Sequence, residues 1–320
     1  MPVAANNPVT AEGVELGRYL FYDPILSSDS TMSCASCHKQ QSAFSDSPNQ
    51  YSKGREGATM KRNTMPLFNL AWYPAFFWDG RAVSIEEQVF HPVRTYSEMN
   101  LQWNDAAVRL EKSKFYKALF TESFGNRKID SIQISNAIAQ FLRTLISHQS
   151  KYDQVLKGKA YFSKDEYDGF VLVNDQTKGD CIHCHITDGD ALGTTLVFSN
   201  NGIDSIYKAQ DYIDKGRGAI TGKSTDNGKF IVPSLRNLAF TSPYMHDGRF
   251  RTLEEVIEFY TSGIKLSANI DSKMAYAHRG GTKLTEEEKK KVIAFLLTLS
   301  DSSFILNPEF GNPFLKPSIE

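Results

Sequence analysis

The chain has four cysteines, and all of them fall in two matching arrangements, Cys34-Ala35-Ser36-Cys37-His38 and Cys181-Ile182-His183-Cys184-His185. Each reads C-x-x-C-H. In that pattern two thiols add across the vinyl groups of a haem, and the next histidine is held beneath the iron. A redox-active disulfide needs no such histidine. A four-cysteine zinc site could use both pairs, and their long separation does not exclude it. The histidine that ends both motifs favours haem. Cys34, Cys37, His38, Cys181, Cys184 and His185 are therefore expected to hold two c-type haems, with no disulfide.

The rest of the chain must position those groups. Its 320 residues suit two domains, and 41% apolar with 12% aromatic residues can build real cores. A net charge of −1 gives no field for nucleic acid. No apolar run approaches the length that spans a bilayer. The start, Met1-Pro2-Val3-Ala4-Ala5-Asn6, is not a signal peptide. Because c-type haem is attached outside the bacterial cytoplasm, the expected location is the periplasm. A leader or lipoprotein anchor is then expected to have preceded Met1.

An internal repeat suggests how the chain is organised. Asn69-Leu70-Ala71-Trp72 precedes Trp78-Asp79-Gly80-Arg81 and Ser84-Ile85-Glu86-Glu87. Asn237-Leu238-Ala239-Phe240 precedes His246-Asp247-Gly248-Arg249 and Thr252-Leu253-Glu254-Glu255. The Asn-to-Asp spacing is the same in both copies, and each copy follows its own haem motif. The expected fold is mostly α: two cytochrome c-like haem domains related by internal duplication, with long loops. The domains are 1–155 and 156–320. Ser84…Glu87, Ser163…Glu166, Thr252…Glu255 and Thr285…Glu288 read as capping boxes at helix starts. Ile134, Ile138, Leu142 and Leu145 mark one helical core face, and Val292, Ile293, Phe295, Leu296 and Leu299 another. Long Gly/Ser/Asn-rich connections run over 39–66 and 186–232. The tail from Asn307 to Phe314 is too rich in proline for helix, and its two phenylalanines are expected to pack across a domain surface.

Together, the haem motifs, Phe77-Trp78-Asp79-Gly80-Arg81 and Pro243-Tyr244-Met245-His246-Asp247-Gly248-Arg249 resemble the bacterial dihaem cytochrome c peroxidase/MauG family. The resemblance runs from about Glu15-Leu16-Gly17-Arg18 to the final helix. It implies an N-terminal haem that reacts with peroxide, a C-terminal haem that receives or relays electrons, and one calcium ion between them. His38 and His185 become the two proximal ligands. Trp78 falls where the family has a tryptophan between the haems, although a plain core tryptophan is the competing reading. Gln88 and Glu98 match the distal-pocket pair. Peroxide must lose a proton from the oxygen that binds iron and gain one on the oxygen that leaves, and one carboxylate can carry it. Glu98 alone could equally be a solvated acid. Asn63 and the backbone carbonyls of Thr241 and Pro243 match the calcium ligands, an oxygen set suited to a hard cation.

Two departures bear on function. Many relatives carry a histidine after the first motif that blocks the peroxidatic iron until the other haem is reduced. Here Arg55 occupies that place, and no histidine lies between His38 and His91. Arginine stays protonated and does not bind iron, so the first haem is expected to be open at rest. At the C-terminal haem, Tyr260 stands where typical peroxidases place methionine, as MauG-type enzymes do. An anionic phenolate would favour ferric and higher states. Met274 is the strongest rival ligand, with Met245 and His278 behind it. His183 is expected to be exposed, and His246 to serve a haem propionate rather than the iron.

The leading reading is a dihaem c-type peroxidase. It would reduce hydrogen peroxide with electrons from a small periplasmic donor, a cytochrome c or a cupredoxin. The alternative is a MauG-like enzyme that oxidises side chains of a partner protein through a high-valent dihaem state. A dihaem electron carrier ranks third, because a pure carrier needs both irons six-coordinate. No nucleic-acid partner is expected, and the resemblance leaves room for a homodimer.

Overall fold

The computed structural model describes residues 4–185 and 198–315. Helices α1 (Ala11–Tyr22), α2 (Ile85–Arg94), α3 (Trp103–Lys112), α4 (Lys114–Phe124), α5 (Ser131–Thr144) and α6 (Lys151–Leu156) are followed by α7 (Lys164–Asn174) and α8 (Gly218–Thr221). Then come α9 (Leu253–Glu258), α10 (Glu286–Leu297) and α11 (Ser302–Leu306). The expected capping residues start their helices. Ser163, Thr252 and Thr285 close reciprocal boxes with Glu166, Glu255 and Glu288. Ser84 caps α2 by accepting from the Glu87 amide, but the Glu87 carboxylate reaches one residue further back, to the Val83 amide at 2.8 Å. Asp130–Gln133 and Ser150–Asp153 form two more boxes. Among the described residues, sheet is limited to two antiparallel strands of two residues, β1 (Phe198–Ser199) and β2 (Phe230–Ile231).

The chain packs as two compact units. Among the described residues, one holds 4–71, Val83–Ile146 and 304–315, and the other holds Trp72–Ala82 and the residues between Ser147 and Ser303. Each unit thus takes in a segment distant in sequence. Trp72–Ala82 joins the second unit partly through the Ile231 amide, which donates to the Trp78 carbonyl at 2.9 Å. The C-terminal segment joins the first through Phe304, whose ring packs on Phe44 and Phe68.

In the first unit α1 lies against α5. Leu16, Leu20 and Phe21 of α1 are buried with Ile134, Ile138, Leu142 and Leu145. Close approach is possible because position 17 is glycine: a Cβ there would sit 1.9 Å from the Ala137 carbonyl oxygen. The tail crosses this unit. Arg18 donates to the carbonyls of Pro308 and Gly311, Tyr22 donates to that of Phe310, and Phe314 packs edge-on to Tyr19. Pro308–Phe310 forms a single 3₁₀ turn, with the proline at a helix start, where its missing N–H costs nothing.

The second unit has the same kind of contact, with α7 against α10. A Cβ on Gly169 would lie 2.0 Å from the Lys291 carbonyl oxygen. Val173, Val292, Phe295, Leu296 and Leu299 form the core, and Phe162, Phe170 and Ile293 pack on it. Arg236 and Asp153 make a buried bidentate ion pair at 2.8 and 2.9 Å. Adding a methyl to either glycine forces backbone to move. Gly17→Ala and Gly169→Ala are each expected to cost about 1–3 kcal/mol, the usual range for overpacking. Denaturant midpoints check this; wild-type midpoints would show that the helices can separate freely at these points.

Candidate active site

Both cysteine motifs fold into a tight turn. The amides of Cys37 and His38 donate to the Cys34 carbonyl, and those of Cys184 and His185 to the Cys181 carbonyl. The turn presents two thiols and one imidazole to the same place. His38 Nδ1 lies 2.8 Å from the Phe44 carbonyl oxygen, and His185 Nδ1 lies 2.7 Å from that of Pro233. A carbonyl only accepts, so each Nδ1 carries the proton and each Nε2 keeps its lone pair for a metal. Burial holds both imidazoles below the usual histidine range, in the neutral form that ligates. Burial also pushes the thiols of Cys34 and Cys181 up to about 12.

The Phe44 carbonyl is aimed by an unusual backbone: Ala43 and Phe44 are both left-handed, at φ 49 and 59°. The Lys39–Ser45 bridge holds this turn closed. Nothing in the sequence marked Phe44 or Pro233, because every residue has a carbonyl.

Gln88 is half-buried on α2. Glu98 lies on the turn that folds back over the end of that helix. The turn is pinned by the Met99 amide on the Pro92 carbonyl (3.2 Å) and the Leu101 amide on Val93 (2.8 Å). The Glu98 charge reaches the first motif, adding to the upward push on both Cys34 and Cys37. The loop carrying Arg55 lies against the same turn, with the Arg55 amide donating to the Ser97 carbonyl at 3.0 Å. The Arg55 guanidinium bonds Asp29 at 3.3 Å and also pairs with Glu56, and it sits over the Tyr96 ring.

Tyr260 lies in a π-helical turn, Phe259–Gly263, that follows α9, rather than on a continuous α-helix. Such turns are frequent at functional sites. Its loosened carbonyls are taken up from a distant loop: the Thr282 amide donates to Tyr260, and the Lys283 amide to Thr261. Tyr260 is half-buried near the second motif, and desolvation, with the charges of Cys181 and Cys184 adding to it, pushes its phenol up to about 12. Asn201, which sequence reasoning missed, donates to the Tyr260 oxygen at 3.1 Å and lies 3.7 Å from the Met245 sulfur. Met245 and Met274 pack in the same small cluster as Tyr260.

Trp78 is half-buried, with His246 edge-on at 6.5 Å between ring centroids. His246 stacks on Phe230 at 3.7 Å. Asn63 donates to the carbonyls of Asn49 and Gln50. Thr241 and Pro243 flank a turn containing a cis Ser242–Pro243 bond. His183 is exposed and 3.2 Å from Asp180.

The residues present fit haem. Besides two cysteine pairs and two histidines in the ligating tautomer, three buried donors lack a partner among the described residues: Trp103 Nε1, Arg143 Nη1 and Arg236 Nε. A buried donor left unpaired is costly, and haem propionates are strong acceptors.

Residues 11–161 match the family model for di-haem cytochrome c peroxidase. The chain is 32% identical to the methylamine utilization protein MauG of Methylophilus methylotrophus, over 93% of this chain and 85% of that one. It is 33% identical to the cytochrome c551 peroxidase of Nitrosomonas europaea, over 99% and 87%. A solved structure of a MauG-like protein associated with microbial copper homeostasis is similar, with a TM-score of 0.89 at 33% identity. It covers 98% of this chain and 96% of that one.

Proposed function

Because the chain belongs to the di-haem cytochrome c peroxidase and MauG family, we propose that it reduces hydrogen peroxide at the haem of Cys34, Cys37 and His38, with electrons relayed through the haem of Cys181, Cys184 and His185. The observation that carries this reading is Glu98 on a turn pinned by backbone bonds over the end of α2, the helix that carries Gln88. The bound haem supplies the iron at which the peroxide O–O bond is cleaved. Glu98 takes the proton from the oxygen that binds and returns it to the oxygen that leaves, and Gln88 orients the peroxide. Two electrons and two protons then convert hydrogen peroxide to two waters. His38 and His185 would each hold a haem iron through Nε2, and Trp78 would assist electron exchange between the two haems.

MauG-like oxidation of a partner protein's side chains is the second reading. Tyr260 favours it, half-buried near the second motif with Asn201 donating to its oxygen. The same matches accommodate both readings, since the relatives include proteins named for each. The paired features of the two copies of the repeat support an internal duplication with haem-bearing halves near 1–155 and 156–320. Asn69 and Asn237 are both left-handed, Phe76–Ala82 and Tyr244–Phe250 make equivalent bridges, and Gly17 and Gly169 make equivalent contacts. We further assign a calcium ion to Asn63 and the carbonyls of Thr241 and Pro243. A periplasmic location is proposed from the chemistry of c-type haem attachment, with a small cytochrome c or cupredoxin as donor.

The test is peroxide addition to the fully ferric protein. With Arg55 committed to Asp29 and Glu56, the first haem should react without prior reduction. A ferric protein that is inert, and reactive only after one-electron reduction, would mean that another residue blocks the iron.

A further inference from the structure

Trp78 is delivered to the second unit by a segment of chain, Trp72–Ala82, that is otherwise continuous in sequence with the first. The Arg217 side chain grips that segment. Arg217 Nη1 donates to the Asp79 carbonyl at 3.2 Å and to the Gly80 carbonyl at 2.9 Å. Its guanidinium lies over the Phe198 ring at 4.6 Å. The Arg217 backbone is itself anchored, its amide donating to the Lys229 carbonyl at 2.7 Å. Lys229 leads directly into β2, where Ile231 bonds the Trp78 carbonyl and Phe230 stacks on His246, the ring that meets Trp78. Gly80 completes the fit. Its φ is +67°, and a Cβ there would lie 2.3 Å from Phe198 Cζ and 3.1 Å from Arg217 Nη1.

Three successive carbonyls are thereby held, that of Trp78 by the Ile231 amide and the next two by Arg217. At the equivalent turn Arg249 bonds Asp247, as Arg81 bonds Asp79, and it also bonds Asp204; that turn lies in continuous sequence with its own unit. We propose that Arg217 is a positioning residue that sets the place of Trp78 and thereby the rate of electron exchange between the two haems. This rests on the reading of Trp78 as part of the electron path. Exchange through an aromatic side chain depends steeply on its placement, whereas covalent haem attachment does not depend on it.

The experiment uses holoprotein and no peroxide. Flash photoreduction places one electron on the protein, and its redistribution between the haems is followed optically in wild type, Arg217→Ala, Arg217→Lys, Gly80→Ala and Trp78→Phe. Haem content by intact mass and the two haem spectra are recorded for each. Arg217→Ala and Gly80→Ala are expected to slow exchange by about 10-fold or more with both spectra unchanged, since displacements of roughly 1 Å from a productive geometry can cost as much as about 10²-fold. Arg217→Lys, which can still donate to both carbonyls, should recover most of the rate. Should Arg217→Ala fail to fold, Gly80→Ala disturbs the same contact from the opposite side, and it decides the matter with Arg217→Lys. If Trp78→Phe is slow but the clamp variants exchange at the wild-type rate, the clamp is overturned and the Trp78 reading stands. If Trp78→Phe itself is unaffected, that reading fails and takes the clamp with it. Slow exchange accompanied by altered haem spectra would make Arg217 merely structural and would also overturn the proposal.

Discussion

Glu98→Gln is expected to leave both haem spectra intact and to slow the reaction with peroxide by about 10²-fold or more, the usual range for losing a general acid–base. Glutamine keeps the size and a hydrogen-bonding tip, so the turn over α2 should survive. That turn is held by backbone bonds from Met99 and Leu101. What disappears is a group that can accept a proton and give it back. Stopped-flow mixing with peroxide reads the rate directly. An unchanged rate would place Glu98 outside the reaction and shift the proton to another group; Gln88 cannot take the part, because an amide does not titrate.

The second large effect concerns Tyr260. If its phenolate binds the C-terminal iron, Tyr260→Phe should leave that haem attached through Cys181 and Cys184 but change its ligand spectrum. Losing an anionic ligand destabilises the ferric state, so the potential should rise by on the order of 100 mV or more, within the ~0.8 V span that axial ligands command. Peroxide should then no longer produce a state in which both haems share the two oxidising equivalents. The surroundings give the test its alternatives. Met245 and Met274 pack in the same cluster, and Asn201 reaches both Tyr260 and Met245. A methionine–iron charge-transfer band in the wild type that Met274→Ala removes would identify Met274 as the ligand. The protein would then work as a conventional peroxidase rather than a MauG-like one.

What the sequence could reveal was local. Haem motifs, capping boxes and helical stripes each lie within a few residues, so Cys34–His38, Thr252–Glu255 and Ile134–Leu145 are readable by spacing alone. What it hid was contact between residues far apart in sequence. The proton on His185 is fixed by a carbonyl 48 positions away. The π turn at Tyr260 depends on amides at 282 and 283, so Glu255 to Tyr260 reads as ordinary helix until that loop is in place. The exchange of Trp72–Ala82 into the second unit has no signature in composition, because the segment's own pattern is the same as that of its repeat partner. The sequence reads 186–232 as one long connection; residues 186–197 lie outside the described residues, and the described remainder carries β1, α8 and β2.

The central claim is that peroxide takes two electrons from one protein, one from each haem. The direct measurement is an anaerobic titration of the fully reduced protein with hydrogen peroxide, following both haems optically. One equivalent of peroxide should oxidise both haems, and Glu98→Gln should slow the two oxidations together, because the C-terminal haem loses its electron only through the N-terminal site. If one equivalent oxidises a single haem and leaves the other reduced, or if the C-terminal haem is oxidised at a rate indifferent to Glu98→Gln, the relay does not exist.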